Sequence, residues 1–322
     1  MAGVVSAAPL FEDTTPIEAR LVGALDDLRK DARRGNVTEF PFRLELAGAA
    51  IDVDVRARGK SRRETCTFPP LRLDLKKRTA KGTPFEGQNK LKLVTHCRSG
   101  ASFQQYVLEE YALYRVLNLL TPSSFRVRLL RLSYQQQGEA PETTVNNAFV
   151  IEDDDDVAAR MGAEAVDVTS IAQDRLDERH ATLVALFQYL AANTDWSMVN
   201  GPEGDSCCHN GKPVRSGEVY RVVPFDFDLA GIIRAPYAEA NPDLGVRHVR
   251  DRVYRGFCVE RPVLDEAIRR FRAVEQDVLG VYDTIPGLSE SEIKDQKRYI
   301  ERFYAVLDEP RSVERELVRS CR

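Results

Sequence analysis

The chain has 322 residues, 43% of them apolar and 30% charged, with a formal charge of −4. This length supplies one large domain or two lobes with ample core. The small negative charge gives no electrostatic basis for non-specific nucleic-acid binding, and no run approaches a membrane-spanning length, so neither nucleic acid nor membrane insertion is expected.

The opening MAGVVSAAPLF has no basic start and is too short for a complete signal peptide. It reads as a disordered terminus or as the tail of a signal peptide, so cytoplasmic and exported locations both stay open. Residues 1–40 are expected to form an extension, with one helix in PIEARLVGALDDLRKDARRG ending at Gly35. Residues 41–152 read as a β-rich lobe. FRLELAG (42–48) and IDVDVRARG (51–59) alternate apolar and polar residues around a small-residue turn. LRLDLKK (71–77) and KLKLVTHC (90–97) alternate in the same way. SFQQYVLEEYALYRVLNLL (102–120) changes to a helical period, with Ser102 and Gln105 as a capping box and Phe103, Val107, Tyr114 and Leu117 on one face. Strands follow at 125–134 and 146–152. The acidic run EDDDD then opens a short helix ending at Gly162, where acids suit the helix dipole.

Residues 153–322 read as a mainly helical lobe. Helices are expected at 178–193, 262–283 and 289–309, the last capped by Ser289 with Glu292, and the strand EVYRVVPFDFD (218–228) interrupts them. RDRVYRGFC (250–258) defaults to an amphipathic helix. The whole predicts an α+β fold of two lobes. Six cysteines do not make a disulfide scaffold in a chain of this size. Cys66 and Cys97 each flank a strand of the same lobe and are able to meet. Cys207-Cys208-His209 has no second ligand pair at zinc spacing, which argues against a metal–thiolate site.

The chemistry-bearing residues are acids in apolar surroundings. In PFDFDLAG a strand period of two puts Asp226 and Asp228 on one face, where the two charges repel unless a cation compensates them. Oxygen ligands of this kind suit a divalent ion. Upstream, NTDWSMVN follows a long helix, and Asp195 and Asn200 have the D-x-x-x-x-N spacing of a protein-kinase catalytic loop. Such chemistry needs one carboxylate for the attacking hydroxyl and a second, with an amide, for the metal. It also needs a strand lysine held by a helix glutamate. Glu110 lies in the apolar face of helix 102–120 and needs a cationic partner. Glu109, about 100° away around the helix, is expected to reach solvent. Lys76 is the preferred partner of Glu110, with Lys92 close behind and Lys90 also in range.

The series RARGKSRR, LRLDLKK, KLKLVTHC, EEYALYRVLN, TDWS, HN (209–210) and PFDFDLAG resembles the CotH family of spore-coat-protein kinases, over roughly residues 50–235. The resemblance implies an atypical protein-kinase-like fold and an ATP-dependent phosphotransferase that uses Mg2+ or Mn2+ and acts on a protein or peptide hydroxyl. It implies Asp195 as the catalytic acid–base residue and Asp226, with Asp228 as a second candidate, on the metal. Because an HN pair follows the aspartate in that family, Asn210 stands beside Asn200 as the candidate metal amide. Arg56 and Arg58 become phosphate-facing candidates. The chain departs from the pattern in the long GPEGDSCC loop and in LAGAA (46–50), which has only Gly48 where a glycine-rich loop is wanted. AMP transfer with an inverted nucleotide, the GKSRR arginines then serving the phosphates, and a pseudokinase without turnover are the alternatives on the same fold. A small-molecule kinase with an acidic groove is a further one.

Overall fold

The computed structural model describes residues 10–59, 61–140 and 143–322. The expectation for the first nine residues falls outside them. The chain divides into two compact units, Met1–Tyr111 with Arg126–Asp153, and Ala112–Phe125 with Asp154–Arg322. Both mix helix and strand, an α+β composition.

The first unit contains β1 (Ile17–Gly23), α1 (Leu25–Arg33), β2 (Phe40–Leu46), β3 (Ala49–Ala57), α2 (Ser61–Thr65), β4 (Leu71–Leu75), α3 (Lys77–Ala80), β5 (Lys90–Val94), the start of α4 (Ala101–Leu120), β6 (Val127–Gln136) and β7 (Asn146–Ile151). The strands close into a barrel in the order β1-β2-β3-β4-β5-β7-β6, and β6 lies parallel beside β1. Closure removes exposed sheet edges. Alternate residues fill the interior: Ile51, Val53 and Val55 of β3 are buried, while Asp52, Asp54 and Arg56 face outward. Gly48 has a φ of 78° in the β2–β3 turn, a conformation that suits glycine.

Four sequence expectations change here. Residues 17–35 do not form one helix, and they are not an extension to the barrel. Ile17, Leu21, Leu25 and Leu28 fit a helical spacing, but Ala19 and Leu21 also fit a period of two. Pairing with β2 and β6 selects the strand as far as Gly23, which sits against the Phe42 ring. Helix α4 begins at Ala101, so Ser102 lies within its first turn instead of capping it. From Val107 onward α4 is almost entirely buried, and Glu109 is enclosed along with Glu110.

The second unit holds the rest of α4, α5 (Asp154–Arg160), β8 (Glu164–Ala165), α6 (Glu178–Ala191), β9 (Gly211–Ser216), β10 (Val219–Pro224), α7 (Arg261–Ala273), α8 (Glu275–Val281), α9 (Glu290–Asp308) and α10 (Pro310–Val313). Strands β8, β9 and β10 form a small sheet. Asp154, Asp155 and Asp156 occupy the first turn of α5, as a solvated helix start requires. Asp177 caps α6 and Ser289 caps α9. Residues 262–283 form two helices that meet at Val274. The segment 250–258 is not helical. Arg250 pairs with the Asp295 carboxylate, and Arg252 donates to Leu190 O (3.3 Å) and Tyr299 O (2.7 Å) while lying over the Tyr299 ring.

The six cysteines pair as Cys66–Cys97, Cys207–Cys208 and Cys258–Cys321. The second pair occupies the thiols that a zinc site at 207–209 would need. Among the described residues no helix is long and apolar enough to cross a membrane.

Candidate active site

In the second unit, α6 ends at Ala192 with a φ of 51°, and the chain turns into NTDWSMVN. Three side chains, those of Asn193, Trp196 and Arg255, shape this turn. Buried Asn193 donates to Gln188 Oε1 (3.0 Å), and its Oδ1 accepts the Asp195 N–H (3.0 Å). The Trp196 indole donates to Asn193 O (3.0 Å). Arg255 donates to Thr194 O (2.6 Å) and Trp196 O (2.8 Å), the carbonyls on either side of Asp195, and lies over the Trp196 ring. A polar segment in apolar surroundings is thereby fixed by backbone carbonyls, each with a donor.

A second segment, 207–210, runs beside this loop. Ser197 N donates to His209 O (3.0 Å) and His209 N donates to Asn200 O (3.1 Å). The pairing brings His209 Nε2 to Asp195 Oδ1 at 2.6 Å. Asn210 Nδ2 donates both to Asp195 Oδ2 and to Asp195 O, each at 2.8 Å. Of the two candidate amides, the structure therefore brings Asn210 to Asp195. Asn200 lies at an exposed position and contributes its carbonyl to the ladder.

The third segment follows β10. Phe225 N donates to Asn210 O (3.0 Å), and Asp226 N donates to Tyr114 Oη (2.9 Å). The strand ends at Pro224, and Asp226 has a φ of 63°. Asp226 and Asp228 therefore do not alternate along a strand face. Phe227 packs between Tyr114 and Phe187, and Asp228 is buried. Four non-glycine residues among those described have positive φ, and Asn210 and Asp226 are two of them. Asparagine and aspartate tolerate this region best, and such conformations concentrate at functional sites. Gly231 closes the segment. A Cβ there would collide with Val249 O, so LAG needs its glycine.

The electrostatics follow from these contacts. The hydrogen bond that His209 makes to Asp195, with the charges of Asp195 and Asp226, raises the His209 pKa, against the effect of its burial. Burial, aided by Arg322, pushes Arg255 down to about 10. The Asp195 side chain remains 37% exposed. Each of its oxygens has one nitrogen donor and retains acceptor capacity for an incoming hydroxyl.

A divalent ion is tested by the donors present. With its Nδ2 committed to Asp195, Asn210 keeps Oδ1 as its metal-competent atom, and Asp226 adds a carboxylate. Mg2+ takes one or two carboxylates and completes its shell with water and phosphate oxygens, so this donor set fits. Among the described residues, no group of three or more His, Cys, Asp and Glu is arranged to hold a metal.

In the first unit, Glu110 does not meet Lys76. Arg62 Nη1 stands 3.7 Å from Glu110 Oε2, with side-chain exposures of 8% and 2%, and Arg62 also donates to Thr95 O. Lys76 lies just past β4 at an exposed position with its ammonium on Asp54. Of the GKSRR arginines, Arg62 is thus enclosed, and Arg63 holds the carbonyls of Gly59, Gly35 and Asn36. Arg56 and Lys92 belong to one cross-strand row, Arg56↔Arg72↔Lys92, on the outer face of the barrel. Like charges set directly opposite one another destabilise a sheet, so the row suits an anion. Burial, with the charges of Arg72, Arg58 and Arg63, lowers the Arg56 pKa, against the pull of Glu39, 3.6 Å away. Arg72 and Arg255 escaped the sequence reading, Arg62 entered it only as a phosphate candidate and Tyr114 only as a residue of the apolar helix face. Only Arg62 and Arg72 carried a signal, as cations in otherwise ordered motifs.

No family model matches the chain, and no curated protein matches it. Among solved structures, it is similar to a Helicobacter pylori proinflammatory kinase, CtkA, at 11% identity with a TM-score of 0.42, over 76% of this chain and 91% of that one.

Proposed function

We propose that this protein is an ATP- and divalent-metal-dependent phosphotransferase of CotH-like type that phosphorylates hydroxyl groups of a protein or peptide. The observation that carries this reading is the Asp195 carboxylate, held by His209 Nε2 and Asn210 Nδ2 beside the segment that bears Asp226. Asp195 orients the attacking hydroxyl and accepts its proton. His209 and Asn210 fix the carboxylate plane, so little reorganisation is needed at reaction. Asn210 Oδ1 and Asp226 would hold the metal, with Asp228 behind them as a buried acid. A bound Mg2+ or Mn2+ would offset charge on the transferred phosphoryl group. In the first unit, Lys92, Arg56 and Arg58 are assigned to nucleotide phosphates, now joined by Arg72.

Three disulfides that consume every cysteine suit an oxidising compartment. The deciding experiment incubates the full chain with γ-labelled and α-labelled ATP, Mg2+ or Mn2+, and a set of protein substrates. Incorporation from the γ label alone is expected. Label from the α position would assign AMP transfer instead, and nucleotide binding without incorporation into any substrate would assign a pseudokinase.

A further inference from the structure

The first unit contains a cavity of about 460 Å³ away from its cation row, lined by α1, the β5–α4 connection, β6 and the start of β7. This volume lies within the range of small-molecule sites. Among the described residues of the lining, Arg29 is the sole charged side chain and no carboxylate accompanies it. The connection Ser99–Gly100–Ala101 leads into the 20-residue helix α4. The opening amides of such a helix have no intrahelical carbonyls and carry the positive end of its dipole.

A second feature is independent of the helix. His96 is 9% exposed and lines the same cavity, yet its Nδ1 is enclosed without a hydrogen-bond partner. Buried polar groups are normally satisfied, so an unsatisfied imidazole in a cavity wall points to a ligand. The ring stacks on Phe68, with centroids 5.1 Å apart, and Phe68 packs on Tyr134 at 4.5 Å. The Arg29 guanidinium lies over the Phe68 ring, 5.6 Å from its centroid, so the cation and the aromatic wall are adjacent.

We propose that this cavity binds a small organic phosphate, with its anionic group against Arg29, Ser99 and the opening turn of α4, and its apolar body against Phe68 and Tyr134. Arg29 supplies charge-assisted hydrogen bonds and the helix start supplies backbone donors. Gln104 is already tied to Asn146 Oδ1 and Asn147 N, so it shapes the floor of the cavity.

The chain has four histidines, which allows a direct test without nucleotide. Phenyl phosphate is titrated into the full protein while the ring signals of His96, His180, His209 and His248 are followed by NMR, with His96→Gln assigning the first. A saturable shift of His96, with His209 unmoved, is expected. Inorganic phosphate should move His96 more weakly. Arg29→Ala should weaken binding about tenfold or more, as loss of a charge-assisted contact does, and Arg29→Lys should recover part of it. The His180 signal, buried in the second unit, reports that each variant stays folded. A motionless His96, a shift at His209 alone, or equal affinity in Arg29→Ala would overturn the proposal. A motionless His96 or an unchanged affinity in Arg29→Ala leaves phosphate transfer at Asp195 untouched, and a shift at His209 alone would place the ligand beside Asp195 instead.

Discussion

Glu110 in the first unit and Asp195 in the second are both carboxylates beside nitrogen donors, and their surroundings are opposite. Glu110 is sealed in α4 with Arg62 at 3.7 Å, both nearly without solvent. Asp195 keeps 37% of its side chain exposed and has shorter contacts, 2.6 Å to His209 and 2.8 Å to Asn210. A sealed pair stands or falls with the fold, because losing one partner strands a charge. A half-exposed carboxylate on a braced loop stays reachable, and its removal costs little stability. The comparison predicts that substitutions at the two places separate stability from activity.

The largest effect is expected at Asp195. Asp195→Asn should lower the rate of phosphate transfer by about 10²–10⁴, the usual loss for a general acid–base residue. Its thermal midpoint should stay near wild type, since the side chain is only part-buried. Turnover like wild type, measured with γ-labelled ATP, would remove Asp195 from the chemistry.

Next is Arg62. Arg62→Met leaves Glu110 enclosed without this cation and should cost about 3–5 kcal/mol in a urea denaturation. Adding Glu110→Leu should return most of that loss, because an apolar pair of similar volume fits a dry site. A single variant as stable as the parent would mean that Arg62 is not what compensates the Glu110 charge.

Arg255 sharpens the comparison from the other side. Its guanidinium spans the Thr194 and Trp196 carbonyls without touching the Asp195 carboxylate. Arg255→Ala should therefore lower kcat by about 10- to 100-fold through misplacement of the loop, with KM for ATP little changed. Arg255→Lys should recover part of kcat. An equal fall in kcat/KM and in thermal midpoint, without rescue by lysine, would assign it to packing alone.

The sequence made some of this plain and concealed the rest for physical reasons. Period-two runs gave β2 to β5, and the change to a helical period gave α4, because burial on one face or all round writes itself into local spacing. Strand β1 was hidden because its apolar residues fit both periods, and barrel closure decided between them. Asp195 and Asp226 were legible as acids in apolar segments, and Asn210 only through the family resemblance. Their left-handed backbone at 210 and 226 was not, so the strand was drawn four residues too far and the two acids were placed on one face. Arg62, a cation 3.7 Å from Glu110, was not read as its neighbour because it comes from a five-residue helix with no period to read. Arg255 was missed because it acts from an irregular segment some sixty residues downstream.

The smallest effect is the pH dependence of the His209–Asp195 contact. Asp195 raises the pKa of His209 above the ordinary value of about 6.5. Protonation is thus favoured in the folded state, and the contact stabilises fully below that value. The contribution fades as pH rises through the higher folded pKa, where native and unfolded histidine are both neutral. His209 is 32% exposed, so solvent screening holds the effect to about 1 kcal/mol or less. His209→Gln should therefore lower the thermal midpoint most below pH 6.5, with the gap to wild type closing as pH rises. A gap that stayed constant with pH would mean that the imidazole acts as a neutral hydrogen-bond donor. Asp195 would then owe its position chiefly to Asn210 and to the carbonyl contacts of Arg255.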